Sequence, residues 1–471
     1  MKEAIQKKIS DSPAARWTAL VLLASAMFFG YIFMDILSPL QELLQVQRGW
    51  DPVAYGRYAG SETFLNVFVF FLIFAGIILD KMGVRFTAIL SGAVMLCGAS
   101  INYFAVSDMF IGSGIEKFMQ NALNLPNAWW NVTPFYEGMP ASAKMSAIGF
   151  MLFGCGVEMA GITVSRGIVK WFKGKEMALA MGVEMAIARI GVAVVVLGAP
   201  VAANIVPVSV SRPVAIAVLL LLIGLISFIV YAFMDKKLDE QGAEEEKDDP
   251  FKVSDLGKIL SSKVFWIVSL LCVLYYSAIF PFQKYAINML QCNLGYTAEQ
   301  AGQVFFVFPL GAAAITPFLG NFLDRRGKGA TMLIFGAILM IVCHLSFALL
   351  LPVTQSTVIA YLGIILLGIS FSLVPAALWP SVPKLVDSKL LGSAYAVIFW
   401  IQNIGLYSFP MIIGSVLVST NPGVTNPLEY NYTVPMLLFA SLGFLALLLG
   451  LWLKIEDKRK GYGLELPNIK K

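Results

Sequence analysis

A chain of 471 residues, 58% of them hydrophobic and only 13% charged, with a mean hydropathy of +0.77, is too apolar to be a string of soluble domains. Its net charge of +5 does not call for a nucleic-acid partner, because basic residues of membrane-spanning chains gather in cytoplasmic loops beside the lipid bilayer. Five scattered cysteines (Cys97, Cys155, Cys272, Cys292 and Cys343) have no paired spacing, so neither a disulfide framework nor a metal site is read, and no cofactor is expected.

The apolar runs are continuous and lack a period-2 alternation, which predicts membrane-crossing helices of about 20 residues each. A basic tail, residues 1–16, leads into a first span at 17–40 that contains Asp35. The second, 55–79, has Glu62 near its start and ends in GIILDKMGVR. The third is 86–106, and a polar loop at 107–140 separates it from the fourth, 141–168, which carries Glu158. A basic hinge follows, with Lys170, Lys173 and Lys175 read as topology charges. The fifth span, 176–203, carries Glu184 and Arg189, and the sixth is 213–234.

A charged segment at 235–263 divides the chain. Its run EEEKDD reads as a solvated linker, and Phe251, Val253, Leu256, Ile259 and Leu260 as the apolar face of a short helix on the membrane surface. Six further spans are expected at 264–286, 298–323, 330–351, 358–379, 393–418 and 434–453, before a tail at 454–471. Gly76, Asp80 and Gly83 after the second span match Gly320, Asp324 and Gly327 after the eighth, with the same internal spacings. The expectation is an all-α membrane protein of twelve transmembrane helices in two six-helix halves, 17–234 and 264–453. Carriers built from repeated halves hold their substrate between them near mid-membrane. With both termini on one side, 27 of the 34 Lys and Arg residues fall on that side and 6 on the other, which puts the termini in the cytoplasm.

An ionised group at mid-membrane depth is costly unless paired or hydrated, so it marks a pathway or a partner. Glu158 lies roughly 15 Å and Arg189 roughly 20 Å along their spans from the cytoplasmic ends. One acid and one base on consecutive helices are the leading candidates for function. No nucleophile elbow, metal-ligand spacing or phosphate loop suggests an enzyme.

GIILDKMGVR and GNFLDRRGKG resemble the loop motif of the major facilitator superfamily. The resemblance implies that Asp80, Arg85, Asp324, Arg325 and Arg326 are cytoplasmic latches between helices. The segments FGCGVEM, WFKGKEMALAMG, MAIARIG, YYSAIFPF, ALWPSV and IQNIGL are similar to the lysosomal dipeptide uniporter branch of that superfamily and its bacterial relatives. This implies a carrier of short peptides, with Glu158 and Arg189 as ligands for the peptide's two ends. Glu184 departs from the branch, whose lysosomal members carry an uncharged amide there, and points to proton sensitivity. Neither tail shows an acidic dileucine sorting signal, which favours a bacterial inner membrane over a lysosomal one.

A zwitterionic peptide presents an ammonium and a carboxylate that a buried acid and base would satisfy together. The competing reading pairs Glu158 with Arg189 to hold two helices together. Glu184, five residues before Arg189, points roughly 140° away from it and has a supporting role as its alternative. Asp35 and Glu62, toward the exterior half, are read either as gate or vestibule contacts or as solvated acids. Tyr275, Tyr276, Trp379, Gln402 and Asn403 are candidates to line the cavity from the second half, Asn403 foremost because a mid-span amide needs a partner. Gly154, Gly156, Gly161, Gly182 and Gly191 are read as helix-packing positions, and His344 as a packed residue. The chain is expected to act as a monomer on a small-molecule substrate, whether facilitative or proton-modulated, with the need for an accessory subunit open. An organic-anion or amino-acid carrier, or a non-transporting sensor on the same fold, are the alternatives.

Overall fold

The computed structural model describes residues 8–128, 130–241, 256–387 and 390–467, so the acidic run, Phe251 and Val253 lie outside the described residues. Ser12 caps the first helix, α1 (Pro13–Met34), its hydroxyl accepting from the Ala15 N–H with proline in the first turn. Then come α2 (Gln41–Arg48), α3 (Pro52–Ser61), α4 (Phe64–Phe68), α5 (Phe71–Val106), the loop helix α6 (Gly114–Asn121), α7 (Ala141–Phe172), α8 (Met177–Asn204) and α9 (Ser211–Asp239). A short α10 (Leu256–Leu260) precedes the second half: α11 (Lys263–Leu294), α12 (Ala298–Phe305), α13 (Val307–Arg326), α14 (Gly329–Leu345), α15 (Leu351–Thr354), α16 (Thr357–Ala377), α17 (Val382–Leu385), α18 (Leu391–Thr420) and α19 (Thr433–Lys460).

Among the described residues, eleven helical stretches are long and apolar enough to cross a membrane. The expected second span is not one helix. It breaks after Ser61 and again before Phe71, and its last part runs into α5, which is two helices joined across a non-helical Gly83 (φ 77°, ψ 171°). Gly327, its partner in the repeat, also has positive φ, at 70°. The repeated glycines are therefore the positions where each half reverses direction in a conformation that a side chain resists.

The amino-terminal segment, the end of α9, the start of α11 and the end of α19 gather at one end of the bundle, here the terminal face. Arg16 pairs with Glu176 at 2.9 Å, the Ile9 N–H donates to Gln241 at 2.6 Å, and Lys263 pairs with Glu456 at 2.7 Å. Hydrogen bonds from Lys175 to Asp11 and from Arg16 to Glu176 hold both carboxyls below their ordinary range. Groups so shifted contribute stability above their unfolded values and lose it as pH falls through the folded ones, so these ties loosen in acid.

Lys170 is not a free topology charge. It is buried on α7 and bonds to Asp235 at 2.7 Å and Asp239 at 2.5 Å on α9, while Trp171 and Tyr231 also donate to Asp235. Asp80 of the repeated motif pairs with Arg166 at 2.6 Å and Arg85 with Asp239 at 3.2 Å, so the motif ties α5 to α7 and α9. In the second half Arg325 and Arg326 are exposed and make no ion pair among the described residues, while Gly327 packs against Glu465 and Leu466 of the tail. The motif's acid and base are thus paired between helices in the first half, while in the second half the carboxyl-terminal tail packs on the turn at Gly327. His344 is fully buried between the rings of Phe282 and Phe439.

Removing one member of a buried ion pair leaves its partner uncompensated, at about 3–5 kcal/mol. Asp235→Ala is therefore expected to lower the unfolding temperature of the detergent-solubilised protein sharply, and Arg325→Ala hardly at all. Equal shifts would show that burial of the Lys170 cluster is not what stabilises the first half.

Candidate functional site

At the face opposite the termini the halves meet through backbone. Gly56 and Gly60 on α3, four residues apart, bring the helix against the carbonyls of Pro410 and Tyr407 on α18, where an added Cβ would lie 2.4 Å from either oxygen. Between them and the bilayer centre sits a charge cluster. Asp35, only 2% exposed at the end of α1, receives the Lys284 ammonium of α11 at 2.8 Å and the Gln283 amide at 2.7 Å. Lys284 also donates to the Met34 carbonyl at 2.9 Å and stands 3.9 Å from Glu62. The expectation of solvated acids is corrected here: Asp35 is a buried partner in a bridge between halves, and Lys284, which the charge count placed outside, is its counter-ion. A lysine within an expected span is the signal that required an acid nearby.

Deeper toward the centre, Glu158 on α7 meets the side-chain amide of Asn403 on α18, across the halves. Arg189 on α8 does not pair with Glu158. Its guanidinium donates to the Ala312 carbonyl at 3.0 Å and the Thr316 hydroxyl at 2.6 Å on α13, and lies 4.9 Å from the centre of the Phe371 ring. In this structure the acid and the base do not hold their own helices together. Each is met by neutral groups from the other half.

Tyr31 of α1 lies within electrostatic reach of Glu184, Glu158, Arg189 and Glu62. Tyr276 stacks on Phe280 and accepts a hydrogen bond from the Trp379 indole N–H at 3.3 Å, and Arg189 lies within its electrostatic reach. Tyr31, Thr316 and Phe371 escaped the sequence reading, since a tyrosine, threonine or phenylalanine in an apolar span carries no distinguishing pattern. Glu184 is half-buried, with no hydrogen bond or ion pair among the described residues.

Two candidates leave the site. Tyr275 is fully buried and donates to the Leu333 carbonyl, because it sits one helical step round from Tyr276 and faces α14. Gln402 is buried and accepts from the Cys272 thiol at 3.3 Å, packing α18 on α11. Of the five glycines, Gly154, Gly156 and Gly191 press on neighbouring backbone, but a Cβ at Gly161 or Gly182 would meet open space.

Against known proteins, the description "Major Facilitator Superfamily" matches residues 23–410 and, in a second match, 285–466. The chain is 26% identical over 425 residues to the lysosomal dipeptide transporter MFSD1 of Danio rerio, covering 85% of this chain and 80% of that protein. To the protein of that name from Homo sapiens it is 25% identical over 427 residues, covering 86% and 81%. Among solved structures, a variant of the nucleoside transporter NupG superposes with a TM-score of 0.67 at 13% identity, covering 92% of this chain and 99% of that one. A bacterial homolog of the human lysosomal transporter Spinster, in an inward-facing and occupied conformation, gives 0.66 at 14%, covering 94% and 98%. At these identities the structural likeness is one of fold.

The bridge between halves has a direct check. Lys284→Met leaves Asp35 buried without its cation and is expected to cost about 3–5 kcal/mol in unfolding, whereas Asp35→Leu with Lys284→Met recovers most of it. A double variant as unstable as the single one would mean that the pair's burial is not the source of the loss.

Proposed function

The chain belongs to the Major Facilitator Superfamily and is a membrane transporter rather than an enzyme, and on that premise we propose that it carries dipeptides by alternating access, with Glu158 binding the peptide's ammonium and Arg189 its carboxylate. The observation that carries the reading is that neither charge has an ion pair among the described residues. A half-buried guanidinium served by a carbonyl, a hydroxyl and an aromatic face gains most from an anion. A half-buried carboxylate served by one amide gains most from a cation. A zwitterion supplies both at once. The name of the MFSD1 relatives supports the same substrate class.

The groups that a peptide would displace, Ala312, Thr316 and Asn403, all belong to the second half. Binding therefore exchanges contacts between halves for contacts to substrate, which couples occupancy to their rocking. Tyr276, Trp379 and Phe371 present ring faces that accept varied side chains. The Asp35–Lys284 bridge and the glycine-lined crossing of α3 and α18 close the opposite face in this state, and must part for the site to open there. The excess of 27 basic residues over 6 supports cytoplasmic termini. Transport then needs no enzyme chemistry, and uniport is the simplest mode.

Glu158→Gln and Arg189→Ala are each expected to reduce dipeptide uptake into proteoliposomes by about tenfold or more, with the unfolding transition retained. Unchanged uptake in both removes the proposed site. Stabilisation by monocarboxylates, with indifference to a free amino terminus, would identify an organic-anion carrier instead.

A further inference from the structure

The carboxyl-terminal tail does more than cover a turn. Two glycines with positive φ, Gly461 at 71° and Gly463 at 81°, stop α19 and fold the chain back across the terminal face of the second half. Leu464 is thereby buried, only 2% exposed, and its N–H donates to Asp457 at 3.0 Å. The Leu464 and Glu465 carbonyls accept from the Gly329 and Lys328 N–H groups at 2.9 and 3.0 Å, and the Glu465 carboxylate accepts from the Thr331 N–H at 2.8 Å. Helix α14 has no side-chain cap from the residue that precedes it, so donors at its start are met by the tail instead. An acid at that end also suits the helix dipole.

From its other side the same segment holds α17. The Lys384 ammonium donates to the Gly463 and Leu466 carbonyls, both at 3.1 Å. The start of α14, which the tail caps, packs there too: a Cβ at Gly329 would stand 3.8 Å from the Ser381 hydroxyl. The stretch 379–385 reads WPSVPKL, and neither Pro380 nor Pro383 has an N–H to give to a helical ladder. It joins α16 to α18 through a single tight turn and the four residues of α17, so its position depends on ties from outside. Its first residue is Trp379, whose indole donates to Tyr276 at 3.3 Å and whose ring lies 4.9 Å from that of Phe399. The docked tail and Trp379 are therefore joined through one short stretch that bonds weakly to itself.

We infer that residues 461–466 form a strap that braces α17 and, through it, Trp379, so that undocking the strap weakens substrate binding. The inference rests on the placement of Trp379 in the site proposed above. The strap's partners Asp457, Lys328, Gly329, Thr331 and Lys384 all belong to the second half, so it stays seated while the halves rock and acts as a brace within one of them. Anything that engages the tail from outside must first free these bonds, which makes the strap a point of control away from the substrate.

The test compares the unaltered full chain with three variants. Leu464→Asp puts a charge in the buried position, Glu465→Ala removes the α14 cap and is the milder change, and Leu466→Asp adds the same charge where the side chain is 64% exposed. Amide hydrogen exchange read by mass spectrometry is expected to quicken about tenfold at 329–334 and 378–387 in Leu464→Asp, less in Glu465→Ala and not at all in Leu466→Asp. The dipeptide concentration giving half-maximal uptake into proteoliposomes should rise about threefold in Leu464→Asp, because fewer molecules hold Trp379 in place. Faster exchange confined to the tail overturns the brace. Faster exchange at 378–387 with unchanged half-saturation overturns its link to the site. Should Leu464→Asp fold poorly, Glu465→Ala carries both readouts. Absence of dipeptide uptake by the unaltered protein defeats the dipeptide reading alone, since exchange at 378–387 still decides whether the strap braces that stretch.

Discussion

The contact on which the rest of the structure depends is the ion pair between Asp35 and Lys284, made where water has little access. Taking either charge into a low-dielectric interior alone costs several kcal/mol, and their mutual attraction offsets this only when further hydrogen bonds complete both shells. Here Gln283 completes the carboxylate and the Met34 carbonyl the ammonium. Since the acid ends a helix of the first half and the base sits in a helix of the second, satisfying the charges also joins the halves. The glycine-lined approach of α3 to α18 works in the same direction by a different force, close backbone packing in place of electrostatics.

Against that closed cluster, Glu158 and Arg189 stand out as charges left with neutral company. The contrast is one of degree of completion. Among the described residues, Asp35 has two side-chain donors, one of them cationic, while Glu158 has a single amide and Arg189 no carboxylate. Completed pairs fix a conformation, and incomplete ones respond to what arrives. A carrier needs both kinds at different depths, one to hold a face shut and the other to register substrate.

The two halves share a repeat but do not use it alike. In both, the second glycine of the motif turns the chain with positive φ. In the first half the motif's acid and base reach α7 and α9, forming with Lys170, Asp235 and Asp239 a partly buried set of ion pairs that unites three helices. In the second, the chain beyond α19 folds back, so that the Lys328 and Gly329 amides donate to the Glu465 and Leu464 carbonyls, and Lys384 to those of Gly463 and Leu466. One motif thus stabilises one half by charge and receives a tail in the other.

Composition and periodicity alone determined that this chain is helical, membrane-spanning and built from two related halves, because hydrocarbon forces each segment to satisfy its own backbone and that requirement is written in local sequence. Glu158 and Arg189 were legible for the same reason: a charge in an apolar run is conspicuous wherever the helix packs. Which way each side chain faces was not legible, and only the tertiary structure decided it. Tyr275 and Tyr276 are neighbours in the chain, yet one is buried against α14 and the other turns to Trp379 and Phe371, since successive residues on a helix differ by about 100° in direction. Lys284 found Asp35 across 249 residues of chain, and Arg189 found Ala312 and Thr316 in place of Glu158. Such pairings depend on how helices from separate halves come together, and no local pattern encodes that.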